Sequence, residues 1–121
     1  MAGQLRSRAT AVVIRGGNVL LVRQTGERDF GMPGGGVERG ELPSNAVVRE
    51  LYEETTLRAT KIEYLFIYAT ATNKHTVFRT ETEGDVAIGH EIDAFVWWDR
   101  NEKLPLFPHV RGILSKLENS E

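Results

Sequence analysis

The stretch from Gly35 to Leu57, GGVERGELPSNAVVRELYEETTL, decides the reading of this chain, because glycines run into a helix-forming segment that carries three closely spaced glutamates. Residues three and four apart are neighbours on a helix that turns about 100° per residue, so Glu50, Glu53 and Glu54 share one arc. Their carboxylates are expected to converge on one small volume. Such a cluster repels itself and raises its own pKa values unless a cation neutralises it. Hard oxygen ligands suit Mg²⁺, with Mn²⁺ as an alternative, and Mg²⁺ commonly keeps water and substrate phosphates among its ligands. A phosphate ester or anhydride is therefore the expected substrate.

The preceding residues, Met32, Pro33, Gly34, Gly35 and Gly36, lead to the same chemistry by another route. Few side chains obstruct this backbone, which is read as a loop, and glycine tolerates positive φ, so a bulky anion can approach closely.

These residues resemble the signature of the Nudix hydrolases, which cleave nucleoside diphosphates linked to another moiety. The family pattern is a glycine, five residues, a glutamate, seven residues, then Arg-Glu-apolar-any-Glu-Glu-any-Gly-apolar. Gly35, Glu41, Arg49, Glu50, Leu51, Glu53, Glu54 and Leu57 stand at its positions. The departure is Thr56, which replaces the second glycine. That glycine lets the chain leave the helix through a left-handed residue, which suits threonine poorly, so a differently built helix exit is expected.

The resemblance implies a Nudix α/β/α sandwich, with a mixed sheet between helices and the loop–helix–loop motif, in one domain spanning residues 1–121. It implies Glu50, Glu53 and Glu54 as catalytic metal ligands, one of them doubling as general base. Arg49 would hold a glutamate in place and Glu41 would brace loop and helix. Gly34, Gly35 and Gly36 would lie against the substrate. Relatives recruit a further acid from a later segment, for which Glu91 is the first choice ahead of Glu83, Asp85 and Asp93. Arg23, near the glycine loop, is a candidate phosphate or base contact. Phe30, Tyr68, Phe78, Trp97 and Trp98 could stack on a base, with one of the two tryptophans lining the cleft.

Composition narrows the alternatives. Fifteen basic and seventeen acidic residues among 121 give a formal charge of -2, so no basic field for general nucleic-acid binding is present. The absence of cysteine removes thiolate nucleophiles, disulfides and cysteine zinc sites. His75, His90 and His109 are too scattered to read as a metal motif and are taken as ordinary core or surface residues. No apolar run approaches membrane-spanning length and the N-terminus lacks a signal-peptide pattern, so a cytoplasmic protein is expected. A homodimer is compatible with the resemblance.

The remaining elements follow from punctuation. Arg8–Arg15 and Val19–Gln24 read as a hairpin across Gly16, Gly17 and Asn18. A helix is expected from Leu42 or Pro43, with Val48, Leu51 and Tyr52, flanked by Val47, packed on the sheet. Strands are expected over Leu57–Ala71, Lys74–Glu83 and Glu91–Asp99, with a loop or ragged edge over Thr82–His90. Val110, Ile113, Leu114 and Leu117 mark a C-terminal amphipathic helix. Within the family, the proline of ADP-ribose pyrophosphatases is missing near Ala71–Asn73, and no tyrosine stands where dinucleoside polyphosphate hydrolases carry one. The resemblance then favours a small MutT-like nucleoside triphosphatase. Nucleotide sugars, dinucleoside polyphosphates and a non-hydrolytic nucleotide-sensing domain stay open, although sensing domains usually lose the glutamates that are present here.

Overall fold

The computed structural model describes residues 4–119. Strands β1 (Arg6–Val12), β2 (Ile14–Arg15), β3 (Asn18–Gln24) and β4 (Gly34–Gly36) precede helix α1 (Pro43–Thr55). Then follow β5 (Arg58–Ala69), β6 (Asn73–Glu83), β7 (Ile92–Trp98) and helix α2 (Pro108–Asn119). They form two sheets, a mixed one in the order β4-β1-β6-β5 and an antiparallel one in the order β2-β3-β7.

Strict alternation along β1 and β3 divides their apolar residues between two cores. Ala9, Ala11, Leu20 and Val22 meet Ala46, Val47 and Leu51 of α1. Val12, Val19 and Leu21 meet Val110, Ile113, Leu114 and Leu117 of α2. Strands covered on both faces must be apolar on both faces, which explains the uninterrupted run Val19–Val22.

Several expectations need correction. Arg8–Arg15 is not one strand: β1 joins the mixed sheet, and the chain then breaks at Val13 so that Ile14 and Arg15 pair with Val19 and Asn18 in the other sheet. Gly16 and Gly17, both at positive φ (55° and 81°), make the two-residue turn between them, a conformation that favours glycine. The glycine segment is not a loop but strand β4, paired antiparallel with β1 at Arg8, Ala9 and Thr10.

On α1 the buried residues are Ala46, Val47, Leu51, Glu54 and Thr55. Val48 and Tyr52 are exposed, and Tyr52 carries the Arg58 guanidinium over its ring at 5.3 Å. Val47, Leu51, Glu54 and Thr55 recur at helical spacing, so the stripe that seats the helix also carries Glu54 inward.

The exit of α1 also differs from expectation, since Thr56 adopts the left-handed conformation itself (φ 65°, ψ 3°), and its N–H donates to Tyr52 O. The exit thus keeps the family geometry with the wrong residue for it. Thr56 Oγ1 donates to Asp85 O at 3.1 Å, and Ala87 N–H donates to Thr55 O at 3.0 Å, tying the 84–91 loop to the helix end. A side chain with a Cβ costs roughly 1–2 kcal/mol in this conformation. Thr56→Gly should therefore raise stability by about 1 kcal/mol, a gain of a few degrees in Tm, despite losing the exposed bond to Asp85. An unchanged or lower Tm would show that the hydroxyl anchor outweighs the strain.

Candidate active site

Arg49 organises one side of the site. Its Nε and Nη2 donate to the two carboxylate oxygens of Glu41 at 2.8 and 2.9 Å. Its Nη1 donates to Glu50 at 2.8 Å and to Glu53 at 3.2 Å, while Nη2 also reaches Gly36 O at 3.2 Å. Paired bonds of this kind fix a guanidinium plane as well as a charge. The guanidinium, helped by the Glu38 N–H, holds Glu41 at a pKa of about 2, and the carboxylates in turn push Arg49 above its ordinary value. Glu41 thus clamps Arg49, and Arg49 orients Glu50 and Glu53.

Glu50, Glu53 and Glu91 each offer a carboxylate oxygen within 4.8 Å of the others. Glu91 stands immediately before β7, where its carbonyl accepts the Thr25 N–H at 3.0 Å. Long-range strand pairing thereby brings an acid from the 84–91 loop to the α1 acids. This group of hard oxygen donors can hold a divalent cation.

Glu54 is placed differently from its two neighbours on α1. Only 2 % exposed, it accepts the Gly34 N–H at 2.8 Å and the side-chain amide of Gln24. Burial, reinforced by nearby Glu50 and opposed by these hydrogen bonds, raises its pKa to about 7. Glu54 therefore welds the helix to β4 and β3 as well as contributing charge.

An open cleft of about 500 Å³ lies over this arrangement, lined by Arg8, Gln24, Gly34–Gly36, Glu50, Glu54 and Glu91 among others. The three glycines have distinct environments. A Cβ on Gly34, at φ 146°, would overlap the carbonyl oxygen of Ala9, and one on Gly35 would overlap the Glu50 carboxylate. Gly36 faces open space.

Arg23 does not line the cleft. It pairs with Asp93 at 2.8 Å and lies over the Phe30 ring at 5.5 Å. The cation of the cleft is Arg8, which sequence reasoning passed over, because only the pairing of β1 with β4 brings it beside the glycines. None of the five aromatic candidates lines the cleft either. Phe30, Phe78 and Trp98 are buried in the cores, Trp97 lies beneath Arg15 on the opposite face from Trp98, and Tyr68 fits against Gly112 of α2.

His75 and His109, distant in sequence, stack at 4.7 Å between ring centroids. His75 Nδ1 lies 2.8 Å from Thr10 Oγ1, and His109 Nε2 accepts the Met32 N–H at 3.2 Å. Burial first, and the nearby Arg8 charge second, lower the His75 pKa to about 4. Burial, then His75 and Arg8, lower that of His109 to about 3. Because the fold favours the neutral rings, the unfolded chain binds more protons below pH 6.5. The histidine contribution to stability should be full above that pH and fall as pH drops towards 4, by up to about 1.4 kcal/mol per pH unit per histidine. Denaturant midpoints between pH 7 and 4 would show this, and His109→Phe should flatten the slope. An unaltered slope would mean that His109 contributes nothing to it.

The NUDIX domain family pattern matches residues 5–117. The chain belongs to the Nudix family. A MutT-like protein of Streptomyces ambofaciens is 34% identical over 108 residues, covering 87% of this chain and 70% of that protein. The crystal structure of a Nudix hydrolase family member from Chromobacterium violaceum superimposes with a TM-score of 0.87 at 32% identity, over 98% of this chain and 80% of the other. An RNA pyrophosphohydrolase of Shewanella sediminis is 43% identical over 51 residues, 42% of this chain but only 30% of that protein. This Nudix domain is built on the mixed α/β sandwich with a helix on either side, and it spans about a third of the length of the RNA pyrophosphohydrolases it matches. Among the described residues, no helix is long and apolar enough to cross a membrane.

Proposed function

We propose that this Nudix hydrolase cleaves a pyrophosphate linkage in a nucleoside triphosphate, with Mg²⁺ held by Glu50, Glu53 and Glu91 and with Glu54 adding a fourth carboxylate. The observation that carries this is the convergence of three carboxylate oxygens within 4.8 Å beside the glycine strand. Mg²⁺, when bound, would neutralise phosphate oxygens and acidify a coordinated water.

The chain's own residues prepare the rest. Gly35 leaves room for the Glu50 carboxylate, and Arg49 holds Glu50 and Glu53 in orientation. Water adds across one phosphoanhydride P–O bond, and the departing phosphate takes the electron pair of that bond. A glutamate within reach of the water accepts its proton.

The name of the Shewanella relative suggests RNA as an alternative carrier of the pyrophosphate. A formal charge of -2 gives no net attraction for a nucleic-acid backbone, which favours the smaller substrate. Incubation with Mg²⁺ and nucleoside triphosphates, dinucleoside polyphosphates, ADP-ribose, nucleotide sugars and a 5′-triphosphorylated RNA separates the readings. Turnover led by a nucleoside triphosphate is expected. Tight binding of one compound with turnover of none would make the domain a sensor.

A further inference from the structure

Strand β5 stands at one end of the mixed sheet, and β4, which carries the glycines of the cleft, stands at the other. Among the described residues β5 pairs with β6 alone, so its outer backbone edge has no strand beside it. At 12 residues the edge is long, and an uncovered edge is a template for another strand. Helix α2 ties down its far end, where Lys116 Nζ donates to Ile67 O at 3.1 Å and Tyr68 meets Gly112. The near end is open. Tyr64, Tyr52 and Val48 are exposed there, and Val48, Tyr52, Arg58 and Ala59 wall a groove of about 540 Å³ beside the strand.

We propose that two copies of this chain join antiparallel along β5, about a two-fold axis at Ile62, with Lys61 of each copy facing Glu63 of the other.

Symmetry and charge together select that register. Side chains directly opposite in an antiparallel pair share a face, so a two-fold axis perpendicular to the sheet sets one residue against its own copy. Irregular pairing with β6 at Ala59/Lys61 and at Tyr64/Phe66 leaves Lys61–Tyr64 as the regular stretch in which that residue can lie. An axis at Lys61 or at Glu63 opposes like charges, which destabilises the pair. An axis at Tyr64 sets Glu63 against the partner's Leu65, a charge against an apolar side chain. An axis at Ile62 instead sets Lys61 against the partner's Glu63, and the two-fold repeats that pair.

The side chains suit this arrangement. Lys61 and Glu63 are both exposed, and Glu63 reaches Arg79 only at 3.8 Å. Ile62 packs against the α1 core on the other face of the strand, where Tyr64 meets Phe78 edge-on at 6.1 Å. Pairing sets the two Ile62 side chains against each other and Tyr64 opposite the partner's Thr60, close to the groove of Val48 and Tyr52. The acidic cleft, at the β4 end, is left open in both copies.

Sedimentation equilibrium over a range of protein concentrations tests this without any substrate. A species of twice the 13.6 kDa chain is expected. Lys61→Glu alone and Glu63→Lys alone each place like charges at both opposed positions, and each should weaken dimerisation about tenfold or more. Mixing the two single variants restores opposite charges at both positions, so a heterodimer should form from chains that dimerise poorly alone. The double variant Lys61→Glu with Glu63→Lys should dimerise like the wild type, and turnover per chain should be unchanged throughout. A monomer at every concentration would overturn the proposal and leave the edge to a strand of another protein. So would a dimer that neither single substitution weakens, or one that mixing fails to restore.

Discussion

Glu54→Gln is expected to cut hydrolysis at least a hundredfold at fixed Mg²⁺ while making the metal-free protein more stable above pH 7. The two effects share one cause. Glu54 is buried, and its pKa is raised from 4.5 to about 7, so the folded state holds a proton that the unfolded chain has released. The contribution of Glu54 to native stability therefore falls as pH rises from about 4.5 through about 7 and levels off above that, opposite in sign to that of the two histidines. A shift of this size corresponds to at most about 3 kcal/mol at pH 8, which glutamine removes because it carries no charge to desolvate.

The amide can keep the Gly34 hydrogen bond through its oxygen, and Gln24 can present its own oxygen after an amide flip. Denaturant titrations in EDTA at pH 5 and pH 8 should show variant and wild type converging at the lower pH and separating at the higher. Glu53→Gln serves as the comparison. Its side chain is about half exposed, so activity should fall similarly without that pH-dependent gain. Retained turnover in both variants would refute their roles, and a Glu54→Gln protein destabilised at pH 8 would refute the desolvation account.

Alanine at three consecutive glycines should give three different proteins. Gly34→Ala drives a Cβ into the Ala9 carbonyl, a backbone atom in the β1–β4 pairing, at a φ that disfavours side chains. A loss of more than about 3 kcal/mol, or failure to fold, is expected, since neither strand can yield without breaking the pairing. Gly35→Ala meets only the flexible end of Glu50. The fold should survive while Glu50 is pushed away from Glu53 and Glu91, lowering kcat and apparent Mg²⁺ affinity by tenfold or more. Gly36→Ala meets nothing within 4 Å and should be close to neutral. Thermal melts with Mg²⁺ titrations of activity check the series, and equal effects at all three positions would show that the glycines act only through general flexibility.

Much of the fold was legible because its signals are local. Helical spacing put Glu50, Glu53 and Glu54 on α1, proline placed its start, and apolar runs marked strands covered on both faces. The errors arose where a remote partner decides. Nothing near Val13 announces that the chain changes sheets there. Nothing in Pro33–Gly36 distinguishes a loop from a strand until β1 is alongside. Tyr52 and Val48 fit an apolar face as well as Val47 does, and only the packing of α1 left them outside.

The residues themselves carried the expectation of a cation and a phosphate, since three acids at helical spacing behind a glycine run call for both whatever the fold. Tertiary structure decided how those acids divide. It sent Glu54 into the sheet, brought Glu91 from the far side of β6 to join Glu50 and Glu53, paired Arg23 away from the cleft and set Arg8 and a neutral histidine stack beside it. Spacing along one helix is fixed by the backbone's own geometry, whereas neighbours drawn from separate strands exist only once the sheets have paired and each burial has been settled against its surroundings.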